Sequence, residues 1–140
     1  MVKYWGKTDS KQIIPANDSF SITVSKKALC SRTTITLDPI KKGVSLELNG
    51  KVSEVTERIK HVIEMISERA PVDLKSHGIK IVSENNFNTA AGLASSASGL
   101  SCLAFALIKV YGIEVSREEI SMYARLGSGS ACRSLDGGFV

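Results

Sequence analysis

The stretch Asn88 to Gly99 reads NTAAGLASSASG, and an apolar run follows it to Tyr111. Nearly every side chain in the first half is small, so this stretch cannot build a core by itself. Leu100, Leu103, Ala104, Leu107 and Ile108 fall on one helical stripe, so the spacing predicts a buried helix over 94–111, ended by Gly112. Gly92 permits backbone angles and close approaches that other residues resist. A helix that opens directly from such a loop presents unpaired N–H groups and a partial positive charge, the ordinary conditions for holding phosphate. Ser95, Ser96 and Ser98 would add hydroxyl donors. The same residues also suit a tight helix–helix contact, and both readings stay open on the pattern alone. Neither G-x-x-x-x-G-K-[ST] nor G-x-G-x-x-G is present, which excludes the two commonest glycine-rich phosphate loops.

The rest of the chain supplies the layers around that helix. Phe20, Ile22 and Val24 alternate with serines and a threonine over Ser19 to Ser25, the period of a half-buried strand. Thr33–Leu37 and Val44–Leu48 continue the β pattern, and Asn49-Gly50 is a hairpin turn signal, so these segments suggest an antiparallel meander. From Val55 the period lengthens: Ile59, Val62, Ile63 and Ile66 mark an amphipathic helix that stops before Pro71. Gly78–Ser83 returns to strand, and Ser116 with Glu119 forms a capping box that opens a helix to about Leu126. Phe139-Val140 resembles the opening of a further strand. This order predicts an α+β fold, a mainly antiparallel sheet with helices on one face.

Composition narrows the function. With 43% hydrophobic residues in 140, the chain can bury a core of one domain. The net charge of +4 is scattered; it suits an anionic substrate and gives no footprint for nucleic acid. Cys30, Cys102 and Cys132 are far apart and form no C-x-x-C, which argues for reduced thiols rather than zinc or disulfides. No apolar stretch is long enough for a membrane span and no secretory leader pattern is visible, so a cytoplasmic location is expected. His61 and His77 have no partner at catalytic spacing and read as structural, while Glu84 and Asp136 are isolated acids near loops.

Two further segments carry polar chemistry. Gly127-Ser-Gly-Ser-Ala-Cys-Arg-Ser134 places Ser128 and Ser130 in a loop just before Arg133, whose planar fork matches a carboxylate or phosphate. Ser130 could equally cap a short helix while Arg133 pairs with a surface acid. Lys3-Tyr4-Trp5-Gly6-Lys7 mixes basic and aromatic residues, as either a phosphate contact or an edge strand with solvated lysines.

These three segments, in this order and spacing, closely resemble the mevalonate diphosphate decarboxylase family, and the resemblance covers essentially the whole chain. K-Y-W-G-K and S-G-S-A-C-R-S are specific to the decarboxylases; the glycine-serine loop points only to the wider small-molecule kinase superfamily of galactokinase, homoserine kinase, mevalonate kinase and phosphomevalonate kinase. The resemblance implies the N-terminal part of a two-domain superfamily fold with a left-handed β-α-β unit. It implies ATP and Mg²⁺ as cofactors, mevalonate 5-diphosphate as partner, no nucleic acid or membrane, and a homodimer for the full-length family. The implied reaction phosphorylates the tertiary hydroxyl, then loses phosphate and CO₂ to give isopentenyl diphosphate.

Carried over by position, Ala90, Ala91, Gly92, Leu93, Ala94, Ser95, Ser96 and Ser98 would cradle the ATP phosphates, with Ser95 and Ser96 directing the γ-phosphate. Arg133 would hold the substrate carboxylate. Ser128, Ser130, Tyr4 and Lys7 would hold the substrate's charged ends, and Ser96 and Arg133 carry the catalytic roles. The family usually has Pro at the Asn88 position and has an Asn-bearing strand before Lys3. Its catalytic Asp lies downstream in a second domain. Residues 1–140 are therefore expected to form an incomplete N-terminal ATP- and substrate-binding domain, with the C-terminal domain absent and the isolated chain inactive. A related mevalonate or phosphomevalonate kinase or decarboxylase, or a non-catalytic nucleotide-binding remnant, is the alternative.

Overall fold

The computed structural model describes residues 6–9, 12–25, 27–88 and 95–140. The strands in chain order are β1 (Lys7–Asp9), β2 (Ile14–Pro15), β3 (Ser31–Asp38), β4 (Val44–Leu48), β5 (Lys51–Ser53) and β6 (Gly78–Asn85), and the last four form a central sheet in the order β3–β6–β4–β5. Strand β3 (Ser31–Asp38) pairs antiparallel with β6 (Gly78–Asn85) along its whole length, Ser31 facing Asn85 and Asp38 facing Gly78. Strand β4 (Val44–Leu48) runs parallel to β6 on its other side and antiparallel to β5 (Lys51–Ser53). The β4–β5 hairpin turns on Asn49 and Gly50, with φ of 50° and 75°. Two successive positive φ angles make the turn that matches strand twist, which Asn-Gly tolerates best.

The expected meander is corrected here. Although β3, β4 and β5 follow one another in sequence, β6 inserts between β3 and β4. The reason lies in burial: β6 carries Ile79, Ile81 and Ser83 inward, the most buried strand face of the sheet, and the centre is where two neighbours cover it.

Three helices form the layer beside the sheet: α2 (Ser95–Tyr111) packs on β3 and β6, while α1 (Glu57–Ser67) and α3 (Arg117–Gly127) pack against α2 and each other. On β3 the residues Arg32, Thr34 and Thr36 alternate outward while Ile35 and Leu37 pack against the helical core. Val62, Ile66, Ile81 and Leu107 are its largest fully buried side chains. Helix α2 is the most buried, with Gly112 (φ 66°) ending it as expected. The capping box of α3 is complete: Ser116 Oγ accepts from the Glu119 N–H, and the Glu119 carboxylate accepts from the Ser116 N–H. No helix among the described residues is long and apolar enough to cross a membrane.

The amino-terminal region departs from expectation. Two short strands, β1 (Lys7–Asp9) and β2 (Ile14–Pro15), form a separate antiparallel pair. Ser19–Ser25 is not a half-buried strand of the main sheet; Phe20, Ile22 and Val24 are all exposed. It makes one antiparallel bridge, Ile22 to Phe139, and Phe20 stacks on Phe139 at 5.6 Å. The alternation is thus matched to the Phe139-Val140 end and not to the sheet.

Candidate functional site

The start of α2 faces an apolar cavity of about 540 Å³ between the sheet and helices α1 and α2. Leu46, Leu48, Ile59, Ile81, Leu100 and Leu103 form its walls. Its polar end is made by Thr33, Ser83, Asn85, Ser95 and Ser96, and the first residues of α1, Glu57 and Arg58, border it. Thr33 and Ser83 satisfy each other through hydroxyls 3.0 Å apart, and the Asn85 N–H donates to Asn49 Oδ1 at 2.8 Å. Few polar groups at the base therefore look for a partner. Apolar walls with a few polar atoms suit the ring of a small ligand, and the volume falls in the ordinary range for such sites.

The three serines of α2 divide by position. Ser95 is half-buried and Ser96 exposed where the helix begins. Ser98 turns to the sheet: its hydroxyl lies 2.7 Å from that of Ser31, which in turn donates to Asn85 Oδ1 at 2.6 Å. Ser31 donates to Asn85, and the Ser98 hydroxyl stands between Ser31 Oγ and its own helix, with Ser95 O at 3.3 Å. Ser98 thereby links α2 to β3 and β6. Ala90, Ala91, Gly92, Leu93 and Ala94 lie outside the described residues, as does Tyr4.

The second motif is seated on the same helix. Gly127 closes α3, and a Cβ there would stand 2.9 Å from a Val62 methyl, so the motif's first glycine serves close packing. Ser128 donates its N–H to Ala124 O at 3.2 Å and ends the helix. Ser130 stands at the N-cap of a 3₁₀ turn over Ala131–Leu135 without a side-chain cap bond. Buried Ser101 on α2 lies within reach of Ala97 O at 2.8 Å and Ala131 O at 2.5 Å. One hydroxyl thus joins the first turns of α2 to the turn that carries Arg133.

Arg133 pairs with no surface acid among the described residues. Its Nη1 donates to Ser19 Oγ, and its Nε is buried without a hydrogen-bond partner. Lys7 is exposed on β1, whose hairpin is held to α3 by Arg125 Nε donating to Gln12 O at 3.0 Å. Lys7, Ser128, Ser130 and Arg133 do not line the apolar cavity. His61 is exposed on α1, and neither histidine borders the cavity. The sequence reading missed Ser19, Ser31, Asn85 and Ser101. Only Ser101 gave a signal, a serine inside an otherwise apolar helical stripe.

No group of three His, Cys, Asp or Glu side chains among the described residues could cage a metal ion. Mg²⁺ does not require one, because it is commonly held through nucleotide phosphates and waters with only one or two carboxylates. Ser95 and Ser96 bring hydroxyls to the lining of the cavity. All three cysteines are free and partly buried; burial first, then the neighbouring Cys30, pushes the Cys102 thiol up.

A helix whose first described turn borders an apolar cavity, over a mixed sheet, fits the N-terminal domain of the small-molecule kinase fold. The family model for the diphosphomevalonate decarboxylase-like N-terminal domain matches residues 1–140. This chain belongs to that family. The diphosphomevalonate decarboxylase of Gibberella zeae is 44% identical over 151 residues, covering 100% of this chain and 40% of the relative. The solved mevalonate diphosphate decarboxylase from Trypanosoma brucei superposes with a TM-score of 0.85 at 45% identity, covering 98% of this chain and 37% of that one. A structure described as MDDEF in complex with MVAPP, AMPPCP and magnesium matches with a TM-score of 0.81 at 39% identity, covering 98% of this chain and 41% of that one. The chain therefore spans about two fifths of the length of the relatives it matches.

Proposed function

We propose that this chain supplies the nucleotide-binding and acid-binding half of a diphosphomevalonate decarboxylase, acting with ATP and Mg²⁺ on mevalonate 5-diphosphate. The observation that carries the reading is the start of α2: Ser95 and Ser96 sit where a helix N-terminus meets an apolar cavity of about 540 Å³. The cavity would take the base, and the helix start the phosphates. ATP-bound Mg²⁺ would supply charge neutralisation. The chain's own residues do the rest. Ser95 and Ser96 donate to the γ-phosphoryl oxygens as charge spreads over them during transfer. Arg133 holds the carboxylate, orienting the C–C bond whose electrons follow the departing phosphate. Ser128, Ser130, Lys7 and Tyr4 hold the diphosphate end. The reading extends to supply of isoprenoid and sterol precursors in the cytoplasm, by a homodimer of the complete enzyme.

The test is a pair of substitutions in a complete enzyme that carries this chain. Ser96→Ala should lower kcat by about 100-fold, the usual effect of removing one transition-state donor. Arg133→Lys keeps the charge but loses the fork, so decarboxylation should fall while ATP affinity holds. Unchanged turnover in Ser96→Ala sinks the phosphate assignment; lost ATP affinity in Arg133→Lys moves Arg133 to the nucleotide.

A further inference from the structure

A guanidinium can present two forks: an end-on pair, Nη1 with Nη2, and a side-on pair, Nε with Nη2. In Arg133 one of the two Nη1 hydrogens is engaged by Ser19 Oγ, which encumbers the end-on pair. The side-on pair remains, and its Nε is buried with no partner among the described residues. A buried donor without an acceptor is disfavoured, and a bidentate oxyanion approaching that edge is the acceptor it lacks.

Ser19 is itself fixed. Two residues on, Ser21 N–H donates to Val140 O at 2.7 Å and Ser21 O accepts from Val140 N–H at 3.0 Å. Thr23 N–H donates to Gly138 O at 2.8 Å, and Phe20 stacks on Phe139. The segment carrying Ser19 is thus strapped to the chain just beyond the 3₁₀ turn that carries Arg133.

We propose that Ser19 is a positioning residue: by engaging Nη1 it selects the Nε–Nη2 edge of Arg133 as the fork that receives the substrate's carboxylate. The proposal rests on the reading above that Arg133 binds this acid. Ser19 acts through Arg133 and leaves the nucleotide site alone, since it does not line the apolar cavity.

The test is a double-mutant cycle in a complete enzyme that carries this chain, read by CO₂ release and by separate ATP binding. Ser19→Ala should lower kcat/KM for mevalonate 5-diphosphate by about tenfold, the scale of one hydrogen bond to a charged group. ATP affinity should stay within about twofold. Ser19→Thr, which keeps the hydroxyl, should restore most of the loss. In an Arg133→Lys background, adding Ser19→Ala should cost nothing further, because a lysine has no edge to select. Full activity in Ser19→Ala, alongside a damaged Arg133→Lys, overturns the inference and spares the Arg133 reading. Equal damage in Ser19→Thr and Ser19→Ala, or additive losses in the cycle, overturns it by showing a packing effect. Parent-like activity in Arg133→Lys overturns the acid-binding reading first and this inference with it.

Discussion

Gly127 opens the Gly-Ser-Gly-Ser motif, and the structure makes a steric prediction for Gly127→Ala. A methyl there would stand 2.9 Å from Val62 Cγ2 and 3.0 and 3.2 Å from the two Leu100 methyls. Its φ is not positive, so the backbone accepts alanine and the cost is packing alone. Val62 is fully buried and has nowhere to go. Leu100 borders the apolar cavity and can yield by turning into it. Overpacking of this kind costs about 1–3 kcal/mol. Replacing a helical glycine by alanine returns at most about 1 kcal/mol, and less at the last residue of a helix. The net expectation is a loss of about 1–2 kcal/mol. Urea denaturation should show this as a lower midpoint at unchanged slope. Because Leu100 relieves the clash by entering the cavity, ATP binding by calorimetry should weaken in the same variant. A Gly127→Ala protein as stable as its parent, with unaltered ATP affinity, would refute the packing role of the motif's first glycine.

Two further outcomes concern titrating groups. The Ser116 N–H, then the Arg69 side chain, hold the Glu119 carboxyl below its usual 4.5. Its folded value is the lower one, so its contribution to stability is full above pH 4.5 and fades as pH falls through the folded value. Glu119→Gln should therefore flatten the acid limb of a denaturation-midpoint profile; an unchanged limb would remove Glu119 from the account. Burial raises the Cys102 thiol above 9.0, leaving little thiolate at neutral pH. Peptide mapping after iodoacetamide treatment at pH 8 should find Cys102 labelled more slowly than a free small-molecule thiol, and an equal rate would contradict its burial.

Local chemistry was legible in the sequence wherever neighbours in the chain are neighbours in space. Asn49-Gly50 specifies its own turn, Ser116 and Glu119 cap their own helix, and the stripe from Leu100 to Ile108 declares a buried helix. These features depend on backbone angles and on periods of three to four residues, which the chain carries internally. Ser95, Ser96 and Arg133 were legible as types only: hydroxyls and a guanidinium suit oxyanions, while burial and neighbours set how strongly.

Partners distant in sequence were decided only by tertiary packing. Nothing in the alternation of Ser19–Ser25 says whether it joins a sheet or another edge; the period is two either way, and the fold gave it Phe139-Val140. The same holds for β6, whose place between β3 and β4 reflects how much apolar surface it must bury. Ser98 reads as a ligand donor in the sequence, yet its hydroxyl is drawn to Ser31, 67 residues away. The residue types, periods and caps come from the sequence by itself because they rest on short-range sterics and hydrogen bonds. Which hydroxyl meets which partner, and which nitrogen of Arg133 is left unpaired, came only with the tertiary structure, because burial and long-range pairing choose among partners that local chemistry treats as equal.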